Sequence, residues 1–514
     1  MEKITAEGFR LSPQQRRSWL SRQADQHSPD RALCAVLLEG HPDQGLLQSA
    51  IADVVDRHEI LRTTFQCFPG MTVPVQVVND CGAPAMQRHD LSALEPQEPE
   101  ALIETLFREA GRLPLDLEHG PLLNISQAVL SPDKHLLLIT MPSLCADRAT
   151  LENLVREISR SYGARVLGEK LTDAPAQYAD LSEWQNELLV SGETEIGREF
   201  WRRQDISGFS TLQLPSENTR TARPAFEPQV LSSVVSQDVA ERLATLARRY
   251  DVSAYALLLA CWQILLWRLC GQQQQIVIGA AYDGRKYEEL EEALGPFTKY
   301  LPVTCSLSAD MRFSELLKRV DESAREAHKW QEYFDWEQTD GLQEADRLSP
   351  FFPFSFDFGK QPERHSAAGV SFSIYRQQTY IERFKVRLYC LQRDASLTTE
   401  FHYDSALFGI EDIKRLAGEF HTLLESVTLI SEAAAGELNI LTEDERRQML
   451  FEWNNTARDY PTHHRLHQLI EAQVERSPDA LALLYNGQHL TYRELNARAN
   501  QLAHYLRTRG VGPD

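Results

Sequence analysis

The sequence has few of the signatures that assign soluble enzymes to a chemistry. It holds no G-x-x-x-x-G-K-[ST] loop and no G-x-G-x-x-G turn after a strand, the patterns whose backbone N–H groups cradle phosphates. An H-E-x-x-H helix and a G-x-S-x-G elbow are also missing, so neither zinc hydrolysis nor an α/β-hydrolase triad is indicated. The eight cysteines (Cys34, Cys67, Cys81, Cys145, Cys261, Cys270, Cys305 and Cys390) include no C-x-x-C pair. That argues against a zinc ribbon, a redox motif or a secreted disulfide framework. No apolar stretch follows a basic flank at the start, and the longest apolar run, 255–270, is broken by Gln263 and Arg268. It falls short of the ~20 residues a membrane span needs, and a cytoplasmic protein is expected. Positive charge is scarce too: 53 Lys and Arg stand against 74 Asp and Glu, a net of −21. Such a surface repels nucleic-acid phosphates and anionic lipid, so neither is an expected partner.

What is present is a long alternation of helical and strand-like patterns. Helices are expected over 13–23, 45–58, 98–112 and 149–162, and strands over 32–39, 124–130 and 135–141, the last two joined by Ser131, Pro132 and Asp133. A similar order recurs, with helices over 238–250, 254–268, 313–330 and 410–429 and strands over 275–281, 384–391 and 398–403. Two mixed α/β halves of about two hundred residues each follow from this, with the stretch 183–220 linking them. Past Leu429 the chain turns small and polar, and a second unit begins near Leu466, with a capping box at Thr491 and Glu494 and a stop at Gly510.

Six short motifs, in order, carry more. They are Leu11-Ser12-Pro13-Gln14-Gln15-Arg16-Arg17-Ser18-Trp19, then Arg57-His58-Glu59-Ile60-Leu61-Arg62-Thr63-Thr64-Phe65, then the segment 115–123. Tyr178-Ala179-Asp180-Leu181-Ser182-Glu183-Trp184, Leu294-Gly295-Pro296-Phe297-Thr298-Lys299-Tyr300 and His402-Tyr403-Asp404 with Phe408 complete the set. Together, over residues 9–430, they resemble the condensation domain of nonribosomal peptide synthetases. Trp453-Asn454-Asn455-Thr456 and Leu490-Thr491-Tyr492-Arg493-Glu494-Leu495 resemble the linker and opening motif of an adenylation domain. The resemblance implies α/β mixed sheets in a two-lobed, chloramphenicol-acetyltransferase-like pseudodimer, plus a short C-terminal α/β fragment. The expected units are an N lobe over 1–182, a C lobe over 183–430, a linker over 431–465 and the adenylation fragment over 466–514. It also implies acyl transfer between thioesters on carrier proteins, whose 4′-phosphopantetheine arms enter from opposite faces. No tightly bound cofactor and no metal are implied, and a downstream adenylation domain is a partner in cis. Because Met1 lies just before the first motif, the donor carrier is expected to arrive in trans.

One motif departs from its family. Where that family reads His-His-x-x-x-Asp-Gly, this chain has Pro142-Ser143-Leu144-Cys145-Ala146-Asp147-Arg148. Ser143 occupies the place of the active-site histidine, Arg148 that of the glycine, and Asp147 alone is kept. A heterocyclisation pattern fails as well, because Pro142 fills its first Asp position. The resemblance implies that Asp147 pairs with Arg62, pinning a strand end by a rigid arginine–carboxylate fork. Ser143 and Asp147 are the candidate catalytic residues; Pro142, Cys145, Arg148 and Ser355 are candidate tunnel residues. Cys145 and Ser143 have no histidine nearby in sequence to activate them, which favours a buried thiol and hydroxyl over nucleophiles. An amine is already partly neutral at cellular pH, so amide formation by an atypical acyltransferase is the first functional expectation. The alternative is a condensation-like domain that has lost its chemistry and docks carrier proteins or a tailoring enzyme acting in trans. Arg16–Arg17 and Arg248–Arg249 are the candidate basic docking patches, and 328–336 a tunnel or partner surface.

Overall fold

Apolar residues at Leu47, Ile51, Val54 and Val55 line one face of the helix Gln44–Arg57, and all are buried. This 3.6-residue spacing packs the helix beside the helix Arg148–Leu167 against a strongly apolar sheet. The computed structural model describes residues 8–24, 30–80, 86–91, 99–190, 195–206, 209–218, 226–271, 273–336, 351–459 and 463–512. Cys81, part of the expected link over 183–220 and Arg220 itself lie outside them.

Residues up to Thr442 form one unit and Glu443 onward a second. The first contains two six-stranded mixed sheets, one per lobe. In the N lobe the order is His365–Ala367, Val370–Thr379, Arg31–Glu39, Lys134–Pro142, Asn124–Ser131 and Gln87–Asp90. In the C lobe it is Lys299–Ser306, Gln275–Tyr282, Phe354–Lys360, Val386–Arg393, Ser396–Asp404 and Pro228–Val235. The helix Ala254–Leu269 is apolar on every side because it runs through the middle of the C-lobe core, with Trp262 and Trp267 sealed inside. No single helix among the described residues is long and apolar enough to cross a membrane.

Two segments cross from the C half into the N lobe. Val370–Thr379 adds to the N-lobe sheet by pairing antiparallel with Arg31–Glu39. The connection after Gln275–Tyr282 sends Leu290, Ala293, Leu294 and Phe297 into the N-lobe core. The lobes are therefore stitched at two places, and a single cut at residue 182 does not separate them. The expected linker also divides differently. Leu438 and Ile440 are buried in the C lobe, and Arg268 Nη1 donates to the carbonyls of Gly436 and Leu438 at 3.0 and 3.1 Å. Residues 431–442 thus belong to the first unit. In the second unit, the helices Leu466–Arg476 and Tyr492–Thr508 flank a hairpin, Leu481–Tyr485 with Gln488–Thr491. Thr491 and Glu494 close the capping box.

Candidate functional site

The strand Lys134–Pro142 ends where the departing motif begins. Pro142 pairs with Arg31 across the sheet, and the Ser143 N–H donates to the Asp30 carbonyl at 3.1 Å. The tight turn that follows brings the Cys145 N–H to the Pro142 carbonyl at 2.9 Å. Asp147 then caps the helix Arg148–Leu167, accepting from Thr150 N at 2.8 Å. Ser143 is 1% exposed, and its Oγ is buried without a hydrogen-bond partner among the described residues. The Cys145 thiol is sealed too, and burial pushes its pKa up. Among the described residues neither group is hydrogen-bonded to a base that would activate it.

Asp147 pairs with Arg285, not with Arg62. Arg285 Nη1 and Nη2 each reach its carboxylate at 3.0 Å, and both side chains are 1% exposed. The carboxylate further accepts from Phe297 N, Thr298 N and Thr298 Oγ1 at 2.9, 2.9 and 3.0 Å, and from Thr150 Oγ1 at 2.7 Å. Burial works against the charge, but Arg285 and these donors hold the carboxyl below the usual range. Arg62 instead donates to the Asn79 carbonyl at 2.7 Å and lies 4.0 Å from Glu59. The cause is topological: Arg285 rides on the crossing segment that enters the N lobe, and Asp147 fastens that segment to the helix N-terminus. Nothing in the spacing around Arg285 marks it, although the neighbouring Gly284, at φ +79°, is the turn that delivers it.

Arg148 takes the interlobe direction. Its guanidinium lies 4.1 Å from the ring centroid of Tyr389 in the C-lobe sheet, and its Nε is 3.5 Å from Glu152. Glu152 in turn accepts from Gln377 of the crossing strand at 2.5 Å. Ser355, Asp357, Arg387, Tyr389, Glu400 and His402 occupy in-register positions on one face of the C-lobe sheet. Ser355, Arg387, Tyr389 and His402 are buried. Burial, then the Arg387 charge, pulls the His402 pKa down to about 4 against its hydrogen bond to Glu400. This imidazole is therefore neutral near pH 7, a weak base held against Glu400.

The other sequence candidates have packing roles. Trp330 and Phe334 sit against Trp201, and Trp336 against Phe352, so the aromatics of 328–336 are half-buried against the core while His328 and Lys329 are exposed. Arg17 is bound to Glu382 at 2.9 Å and lies 4.4 Å over the Trp336 ring, which removes it from a docking patch. Arg249 lies 3.6 Å from Glu432 at the surface. His58 packs beside Glu157 at 3.5 Å. Lys299, where the resembled family has Asn, is held by Glu332 at 2.5 Å.

Comparison with known proteins supports the family resemblance. The family model of the condensation domain matches residues 6–450, and that of AMP-binding enzymes matches residues 470–514. Gramicidin S synthase 2 of Brevibacillus brevis is 32% identical over 93% of this chain. The chain spans 10% of the length of that relative. Among solved structures, the X-domain in its complex with OxyB from teicoplanin biosynthesis superposes with a TM-score of 0.69 at 24% identity, over 85% of this chain and 97% of that one. The first condensation domain of the CDA synthetase gives a TM-score of 0.68 at 17% identity, over 85% and 99%. The fold is thus the chloramphenicol-acetyltransferase-like pseudodimer.

Proposed function

The chain belongs to the condensation-domain family of nonribosomal peptide synthetases and runs on into the start of an AMP-binding domain, and we propose that it is a catalytically silent member that serves as a docking platform. Members of this family are acyltransferases that form amide bonds, and their carriers deliver substrates on phosphopantetheine arms. The observation that carries the proposal is the pair formed by a buried Ser143 and an Arg148 laid across the lobes onto Tyr389.

Magnitudes decide why this matters more than the lost histidine. A positioned base contributes about 10²–10⁴-fold. Holding two reactants together supplies effective molarities of about 10⁵–10⁸ M. Loss of the base alone leaves amide formation slow. Closing the place where two arms would meet removes the larger contribution. A fold kept without that meeting place still offers outer faces for carrier proteins, or for a separate enzyme held as OxyB is in its complex with the X-domain. A second function, slow amide formation with the substrate or water taking the proton, draws support from the retained Asp147 at the helix N-terminus.

Reconstitution with donor- and acceptor-loaded carrier proteins, read by intact-protein mass spectrometry, separates the two. The natural sequence and Ser143→His are expected to give no amide. Ser143→His combined with Arg148→Gly is expected to give product, because the glycine clears the seam and the histidine restores a base. Amide formed by the natural sequence would overturn the silent platform in favour of the acyltransferase.

A further inference from the structure

A cavity of about 490 Å³ opens between the N-lobe helix Pro99–Ala110, the strand Arg31–Glu39 and the C-lobe edge strand Pro228–Val235. In a chain of net charge −21, its wall carries four arginines (Arg31, Arg108, Arg112 and Arg376) against a single acid, Glu104. Arg376 is already committed, ion-paired with Glu104 and stacked 4.8 Å over the Phe107 ring. Arg31, Arg108 and Arg112 form no ion pair among the described residues, and Arg31 Nη1 is buried there without a hydrogen-bond partner. Burial and the Arg22 charge work against the half-buried Arg31 guanidinium while the Asp30 charge favours it, so in the free protein the buried Nη1 is the nitrogen left short of an acceptor.

We propose that this cavity binds a phosphate group, held by Arg31, Arg108 and Arg112. The geometry favours phosphate over carboxylate. Arg108 lies in the last turn of its helix and Arg112 in the turn that closes it, while Arg31 approaches from the adjoining strand. A carboxylate fills one guanidinium fork, whereas a phosphate monoester brings roughly two charges and three acceptor oxygens. The volume lies within the ~300–1,000 Å³ of small-molecule sites. Tyr380, Phe107 and Leu33 add an apolar floor for an organic body attached to the phosphate. Ser143 is not part of the wall, so the site stands whether or not amide formation occurs.

The test is thermal unfolding of the full chain at fixed ionic strength, titrated with inorganic phosphate, phenyl phosphate, acetate or chloride. Both phosphates are expected to raise Tm saturably, while acetate and chloride do not. Tighter binding of phenyl phosphate than of inorganic phosphate marks an ester site; equal binding marks a free-phosphate site. Arg31→Gln with Arg112→Gln should weaken the affinity at least about ten-fold. Arg112→Gln alone, at an exposed position, should weaken it measurably without touching the fold. Arg248→Gln, in a separate C-lobe cavity, should leave it unchanged. No saturable shift with either phosphate, or a shift that survives the double substitution, overturns the proposal.

Discussion

Replacing Asp147 with alanine should be the most costly single change at the site, and its size can be worked out. The substitution strands Arg285, whose side chain is 1% exposed. Breaking a buried ion pair by removing one partner costs about 3–5 kcal/mol, and losing a helix N-cap adds about 1 kcal/mol. Asp283 still contacts Arg285 at 2.5 Å, but it is 58% exposed and therefore a screened substitute. A loss near 4 kcal/mol is expected, a large share of the ~5–15 kcal/mol that domains possess. Arg285→Met strands the carboxylate instead, yet Asp147 keeps its donors from Thr150, Phe297 and Thr298, so the cost should be smaller. The double variant should be more stable than the sum of the two losses predicts, by at least about 2 kcal/mol. Urea unfolding followed by far-UV circular dichroism measures all four corners. The pH dependence has a definite sign: a carboxyl depressed in the folded state stabilises above the usual carboxylate range, and that contribution is lost as pH falls through the folded pKa. An Asp147→Ala loss below about 1 kcal/mol, or additive losses in the double variant, would refute the role given to this pair.

Two further outcomes follow from the same packing. His402, pulled from 6.5 to about 4 mainly by burial, takes up its proton later than the unfolded chain does. Its contribution is complete above about pH 6.5 and should fall by up to about 3 kcal/mol as pH drops toward 4. Burial also lowers the pKa values of His135, His328, His365 and His421, which act in the same direction. The informative quantity is therefore the difference between the natural chain and His402→Gln, and equal acid slopes would contradict it. Gly295→Ala should destabilise by about 1–3 kcal/mol in the same urea assay. At φ +144° an added Cβ would sit 2.0 Å from Tyr178 Cδ2. The buried Tyr178 hydroxyl is tied to Ser12 and to the Pro296 carbonyl, so the ring is not free to yield. An alanine variant as stable as the parent would show that it does yield.

How much of the fold was readable beforehand depended on whether the determining force was local. The strands Asn124–Ser131 and Lys134–Pro142 fall within a residue or so of their expected ranges, because runs of buried side chains and a Ser-Pro-Asp turn write them into adjacent positions. The helices Gln44–Arg57 and Ala254–Leu269 are legible for the same reason. The strand Val370–Thr379 was not, since seven of its ten residues are less than fully buried and its partner, Arg31–Glu39, lies in the other half of the chain. Asp147 could be picked out from its motif, but the choice between Arg62 and Arg285 turned on which segment crosses the lobes. Arg148 shows the limit most clearly. Sequence marks it as a departure from glycine, while only the fold reveals that the added side chain meets Tyr389 across the seam. Under the proposed function, Ser143 and Arg148 bear on separate requirements of one reaction, the first by withholding a base and the second by laying a guanidinium onto Tyr389 across the seam. Neither change compensates for the other. Restoring the histidine alone should therefore leave amide formation blocked, which is why the double substitution, and not the single one, is the decisive variant.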